Sequence, residues 1–340
     1  MSTFSLKSIG SIIVLAAAAH LPAAEQGEAS MNEFRVGPSF GINVKATFSG
    51  FQPYALAPSP AAGSLVDRNY ADGYVRVDSS GNAGNQTWNW GYQNSAQYDQ
   101  AASAMNFHGL SVNTESTSGQ TSNPNYGFEL SYLRRLSANP NGHFAVEFAF
   151  GYNRLDIPDN TAHPVNGTVT TDSFPLGAVI PPSAGYAGTF SGPGALLGAT
   201  PTRSSALASG TISGTRSTDA DIYNLRLGPV FTLPLGEKVR LELAAGLAAA
   251  IVDNQFNFSE TLTVNGISES RSGNGSGADM LFGPYVRGGI SYKLSPSWNV
   301  FVSVEYEHLT DPIKQTAAGT SVELDFGQAI YTTVGVGFSF

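Results

Sequence analysis

From Val322 to Phe340 the chain alternates residue by residue. Val322, Leu324, Phe326, Ile330, Val334, Val336, Phe338 and Phe340 share one parity, while Glu323, Asp325, Gly327, Thr333, Gly335, Gly337 and Ser339 take the other. Successive side chains of a strand point to opposite faces, so the first set lines one face and the second set lines its reverse. The apolar face runs well beyond the usual globular strand of about 5–6 residues. Such a strand suits hydrocarbon on one side and an enclosed polar interior on the other.

Seven further segments repeat the pattern. The first sets Phe34, Val36, Pro38, Phe40, Ile42, Val44, Ala46 and Phe48 outward against Arg35, Ser39, Asn43 and Lys45. The second sets Tyr126, Phe128, Leu130 and Tyr132 against Glu129 and Ser131. In the third, Phe144, Val146, Phe148, Phe150 and Tyr152 oppose Glu147 and Asn153. The fourth opposes Tyr223, Leu225, Leu227, Pro229, Phe231 and Leu233 to Asn224, Arg226 and Thr232. The fifth opposes Val239, Leu241, Leu243, Ala245, Leu247 and Ile251 to Arg240, Glu242 and Gly246. The sixth has Met280, Phe282, Val286, Ile290, Tyr292 and Leu294 against Arg287, Ser291 and Lys293. The seventh has Trp298, Val300, Val302, Val304 and Tyr306 against Asn299, Ser303, Glu305 and Glu307. Each is about the 9–11 residues that a tilted strand needs to cross a bilayer. The expectation is an all-β fold, a closed antiparallel up-and-down transmembrane barrel of eight strands.

The links between these segments alternate in length. Ser137–Gly142, Pro234–Lys238 and Ser295–Ser297 are short and turn-rich, whereas 49–125, 155–220, 257–278 and 309–320 are longer. Outer-membrane barrels have short periplasmic turns and longer external loops, which puts both termini on the periplasmic side. Either of the two longest links has room for a strand pair, which would raise the count to ten or twelve. Ala206–Ser217 alternates weakly and reads as an outward prolongation of the fourth strand. Trp298, Tyr292, Tyr132 and Phe340 cluster at one end of the strands and Tyr152, Tyr223 and Tyr306 at the other, as interfacial aromatic belts do.

Residues 1–24 read as a cleaved secretory signal: Lys7, then an apolar core over Ile9–Ala19, then a small-residue region ending at Ala23-Ala24. That core falls short of the about 20 residues of a membrane-spanning helix. Residues 25–340 form the barrel domain, with long external loops at about 49–125 and 155–220. There is no cysteine, so neither disulfides nor thiolate metal sites are available. The net charge of −9 argues against nucleic acid, whose phosphates require basic partners. Charged residues make up only 13%, yet 20 Phe and 14 Tyr exclude a disordered chain.

Eight strands enclose a bore that side chains nearly fill. Arg35, Lys45, Arg226, Arg240, Arg287 and Lys293 should therefore pair inside it with Glu129, Glu147, Glu242, Glu305, Glu307, Glu323 and Asp325, since buried charge persists only when paired. The functional alternative for the same residues is a selectivity filter or proton relay in a narrow pore or carrier.

The closing Val334, Val336, Phe338, Phe340 pattern resembles the assembly signal of bacterial outer-membrane β-barrels. In architecture the chain resembles the small barrels typified by the OmpA membrane domain, OmpX and Opa-like adhesins. That resemblance implies the barrel assembly machinery, outer-membrane lipid and lipopolysaccharide as partners. It implies an envelope-structural or surface-recognition role, and no cofactor. An OmpA-like periplasmic domain is not expected after Phe340.

Specific function is expected in the loops. Tyr70, Tyr74, Trp88, Trp90 and Tyr92 in the first loop have the aromatic and polar chemistry of recognition surfaces for an external glycan or protein. The alternative is that they pack on one another as a hairpin. Asp78–Asn82 lacks the distal acid of a calcium loop. The second loop carries an apolar, breaker-rich run from Phe174 to Pro182 and from Tyr186 to Leu197, which must cover the mouth, dock on the first loop or meet lipid or a partner. Some small outer-membrane barrels are lipid-modifying enzymes. Here His308 and Thr310 share a face without a serine or a carboxylate to orient the base, so no catalytic or metal site is assigned.

Overall fold

The computed structural model describes residues 31–49, 54–56, 66–81, 83–112, 117–122, 124–137 and 142–340. The signal segment 1–24 lies outside them. Among the described residues there are twenty-one strands and no α-helix. Eight strands form a ring: β1 (Asn32–Ile42), β2 (Asn125–Arg135), β3 (His143–Asp159), β4 (Thr202–Pro234), β5 (Val239–Val264), β6 (Ile267–Lys293), β7 (Trp298–Glu307) and β8 (Ala329–Ser339). Each pairs antiparallel with the next, β3 pairs with β4, and β8 pairs back onto β1.

The strand count expected from the sequence therefore needs correction. The remaining strands lie in the long links, outside the ring. β4, β5 and β6 are 33, 26 and 27 residues long, so they rise far past the level where β1, β7 and β8 end. Residues 257–278 are not a loop. They complete a β5–β6 hairpin that turns at Asn265-Gly266, both at positive φ, the backbone that a two-residue hairpin turn requires. Ala206–Ser217 does prolong β4.

The seam of the ring is made by glycine. Gly37 and Gly335 lie where β1 meets β8, and a Cβ on Gly37 would sit 2.3 Å from the Val334 carbonyl oxygen. The Phe301 ring lies against Gly335 from inside, as Tyr285 does against Gly228 and Gly246. Interior aromatics thus fill the space that the absent side chains leave.

Two breaks in alternation overturn part of the expected face assignment. Asn43 adopts φ 70, and a turn at Phe326–Gln328 is held by Asp325 Oδ1, which accepts the Gly327 N–H at 2.7 Å. Asn43 Nδ2 donates to the Gln328 carbonyl at 2.8 Å, tying the breaks together. Beyond them, Lys45–Ser49 and Thr320–Asp325 leave the ring and pair with each other. With Ser118–Thr121 and Ile313–Ala317 they make a separate four-stranded sheet. Val44, Ala46, Phe48, Val322, Leu324 and Phe326 are consequently buried, not outward. They share a core with Ile222, Val252 and Phe256 on the inner faces of the long strands. Lys45, Glu323 and Asp325 are exposed rather than luminal. A side-chain period of two survives only while the strand is unbroken.

Gly37→Ala should destabilise the protein by about 1–3 kcal/mol, because the wall carbonyl cannot retreat. Gly288→Ala, with no atom within 4 Å of the new Cβ, should be neutral or slightly stabilising. Urea unfolding in detergent micelles compares the two.

Candidate functional site

Three layers follow one another along the axis of the ring. At the short-turn end and through its middle the inward residues are charged and buried. Arg35 donates to both Glu242 oxygens, at 2.5 and 2.7 Å, and to Glu33 at 2.5 Å. Ser291 adds a third bond to Glu242 at 3.1 Å. Arg226 bridges Glu129 and Glu305, Arg287 pairs with Glu147, and Asn224 bonds Glu307. The Arg35 guanidinium also lies 5.1 Å from the centre of the Phe301 ring. Three arginines and six carboxyl groups take part in these contacts.

The other expected members are elsewhere. Arg240 lines a cavity of about 20 Å³ at the short-turn end with Arg35, Arg135, His143 and Glu242. Lys293 is half-buried at the end of β6. Lys45, Glu323 and Asp325 left the interior with the strand breaks. Above the charged layer the bore is plugged by the apolar core under the four-stranded sheet, where the Phe48 and Phe256 rings are 6.2 Å apart.

The outer layer is a head built from both long links. His163–Pro175 pairs with the start of β4 and with Ala104–Val112, so the sheet grows continuously out of the ring wall. Arg68–Tyr70, Gly73–Val75 and Trp90–Tyr92 form a small sheet beside it. The second link docks on the first through main-chain bonds: Gly188 N–H to Trp90 O at 2.8 Å, Tyr92 N–H to Tyr186 O at 3.0 Å and Ser79 N–H to Phe190 O at 2.7 Å.

Of the aromatics proposed for recognition, Tyr70, Trp90 and Tyr92 are buried and form the core of this head with Met105, Phe107, Phe174 and Leu197. Tyr74 and Trp88 are half-buried. Tyr74 donates to the Gly188 carbonyl, and Trp88 packs on Gly192. Tyr70, Trp90 and Tyr92 are therefore corrected from recognition residues to core residues, while Tyr74 and Trp88 keep part of their surface exposed. Asp78 is a turn anchor, accepting from Ser80 N–H at 2.9 Å and Ser80 Oγ at 2.6 Å.

The sequence reading missed the charges that fasten the head. Tyr70 Oη donates to Asp172 at 2.7 Å, and Arg203 clamps the same carboxylate with two bonds of 2.7 Å. Burial, then the bond to Asp172, pushes the Tyr70 phenol well above its usual range. The bond to Asp172 raises the Arg203 guanidinium in turn. Nearer the ring, Arg216 joins Asp159 at 3.1 Å and Glu260 at 2.8 Å. Inward parity on β4 and β5, continued past residue 220, was the signal available for the second cluster. His308 Nδ1 and Thr310 Oγ1 are bonded to the Gly327 and Phe282 carbonyl oxygens at 2.6 and 2.8 Å.

No family model matches this chain, and no curated protein matches it. Among solved structures it is similar to Ail, the attachment invasion locus protein of Yersinia pestis, at 12% identity and a TM-score of 0.27, covering 89% of this chain and 99% of that one. The same protein in complex with the heparin analogue sucrose octasulfate gives 12% identity and a TM-score of 0.27 over 91% and 99%. The outer membrane protease OmpT of Escherichia coli gives 10% and 0.33 over 91% and 97%.

Arg287→Met should cost about 3–5 kcal/mol, because it strands the buried Glu147 carboxylate. Adding Glu147→Leu should recover much of that loss. A double-mutant cycle by denaturant titration measures both.

Proposed function

We propose that this chain is an integral outer-membrane protein of a Gram-negative-type bacterium. In this reading a closed eight-stranded barrel is the anchor and the two-link head is the functional part. The observation that carries the reading is an inside-out distribution of polarity. Along the ring strands the exposed face is Phe34, Val36, Leu130, Phe148, Leu243, Val302 and Val334, while the ion pairs lie inside. Such a wall is costly in water and suited to lipid, where every backbone group must be paired within the protein. No helix among the described residues is long and apolar enough to cross a membrane, which is no obstacle to a barrel.

The filled bore favours anchoring over conduction. An ionic layer and an apolar plug in series leave no wide aqueous route, so the pore reading would require the inserted sheet to leave. The head is then the part that meets ligands. Its core is made by the aromatics themselves, so binding falls to its exposed residues. From Ser173 to Thr202 there is no charged residue, and Ile180 and Phe190 in that stretch are 83% and 58% exposed. An uncharged surface with isolated apolar contacts and abundant Ser, Thr and Gly fits an external glycan or protein better than an ion. His308 Nδ1 and Thr310 Oγ1 are bonded to main-chain carbonyls, and the role proposed is non-catalytic.

The absence of native cysteine makes the orientation testable. Ala184→Cys should react with a membrane-impermeant maleimide on intact cells, and Gly236→Cys only after the outer membrane is opened. Equal labelling of both overturns the reading. In planar bilayers the purified protein should show no stable conductance steps. Val302→Arg, on the outward face, should cost about 2–4 kcal/mol if that face meets the bilayer midplane, measured by refolding into lipid vesicles.

A further inference from the structure

Near the short-turn end the outer wall is not smooth. Side chains of Phe34, Tyr132, Phe148, Trp298, Val336 and Phe338 enclose an apolar groove of about 470 Å³. Aromatic pairs flank it on both sides, Phe34–Tyr132 with centroids 5.1 Å apart and Trp298–Phe338 at 5.0 Å. Leu130, Tyr132 and Arg134 follow one another along the outward face of β2. Arg134 is exposed, about 7 Å beyond Tyr132 along the strand. Its cross-strand neighbours, Asn32 and Val146, bring no charge to compensate it. Tyr132 turns its hydroxyl to the same rim, donating to Asn32 Oδ1 at 2.7 Å. An apolar slot therefore opens onto a cation at the level where interfacial aromatics mark the headgroups.

We propose that this groove is a phospholipid site, holding one acyl chain while Arg134 binds the phosphate. The proposal rests on the membrane reading above. An acyl chain entering the groove leaves one hydrocarbon surrounding for another, so the apolar walls contribute shape and dispersion rather than a hydrophobic transfer term. Discrimination comes from the headgroup. The guanidinium forms charge-assisted bonds to phosphate oxygens, and a lipid with net negative charge is favoured over one whose phosphate is neutralised by choline. One basic residue at the surface corresponds to roughly a five-fold preference.

Of the three tryptophans, Trp88 and Trp90 lie in the head and Trp298 lies on the groove. The protein is reconstituted in phosphatidylcholine vesicles in which brominated phosphatidylglycerol or brominated phosphatidylcholine is titrated over the same range of low mole fractions, and Trp298 emission is read by difference against Trp298→Phe. Brominated phosphatidylglycerol should quench at roughly five-fold lower mole fraction. Arg134→Gln should abolish that difference and Arg134→Lys should retain most of it, with folding of each variant checked by heat-modifiable gel mobility. Equal quenching by the two lipids in the wild type, or a preference that survives Arg134→Gln, overturns the lipid site and leaves the barrel reading intact. No quenching by either lipid overturns both.

Discussion

Every other feature of this molecule depends on a ring of backbone hydrogen bonds that returns to its start. An open sheet must protect its edges, and a wall of apolar side chains around unpaired amides would be untenable in lipid. Pairing β8 with β1 removes the open edge. It also sets the chemistry of each face, because closure converts strand parity into outside and inside. The seam shows what closure demands of the sequence. Glycines meet where a side chain would strike a carbonyl, and interior aromatic rings lie against them.

Closure leaves a narrow interior that must be filled, and the two fillings have different physics. The arginine–glutamate layer is held by strong paired bonds that offset the cost of removing charge from water, a balance that makes such layers specific rather than strongly stabilising. The apolar plug above it is ordinary core. It is supplied by strands that begin in the wall and then fold inward. Because β4, β5 and β6 continue far beyond this plug, the head grows out of the barrel wall as one sheet. Rigid attachment of the head to the ring follows from that continuity.

The alternation was legible wherever a strand stays in the ring, since an exposed apolar face outside and charge inside leave a period-two record in every segment. It misled at Val44–Phe48 and Val322–Phe326. Both stretches keep perfect alternation, but a single left-handed residue, Asn43, and a tight turn at Phe326–Gln328 send them indoors. An apolar face reads identically whether it meets lipid or a protein core. The aromatics of the first loop posed the same ambiguity. Tyr70, Trp90 and Tyr92 have the composition of a binding surface, yet the second loop covers them. The Asp172 clamp joins residues over a hundred positions apart, and no local pattern announces it.

What the sequence determined by itself was the antiparallel wall, the segments that build it, and the arginines and glutamates that pair inside it. These are consequences of local periodicity, which needs no knowledge of the neighbouring strand. Tertiary structure alone decided which apolar faces are buried against protein, how far the long strands rise, and that the two loops merge into one head. Those outcomes depend on which segments come into contact across long separations, and a side chain's parity carries no record of the partner that will cover it.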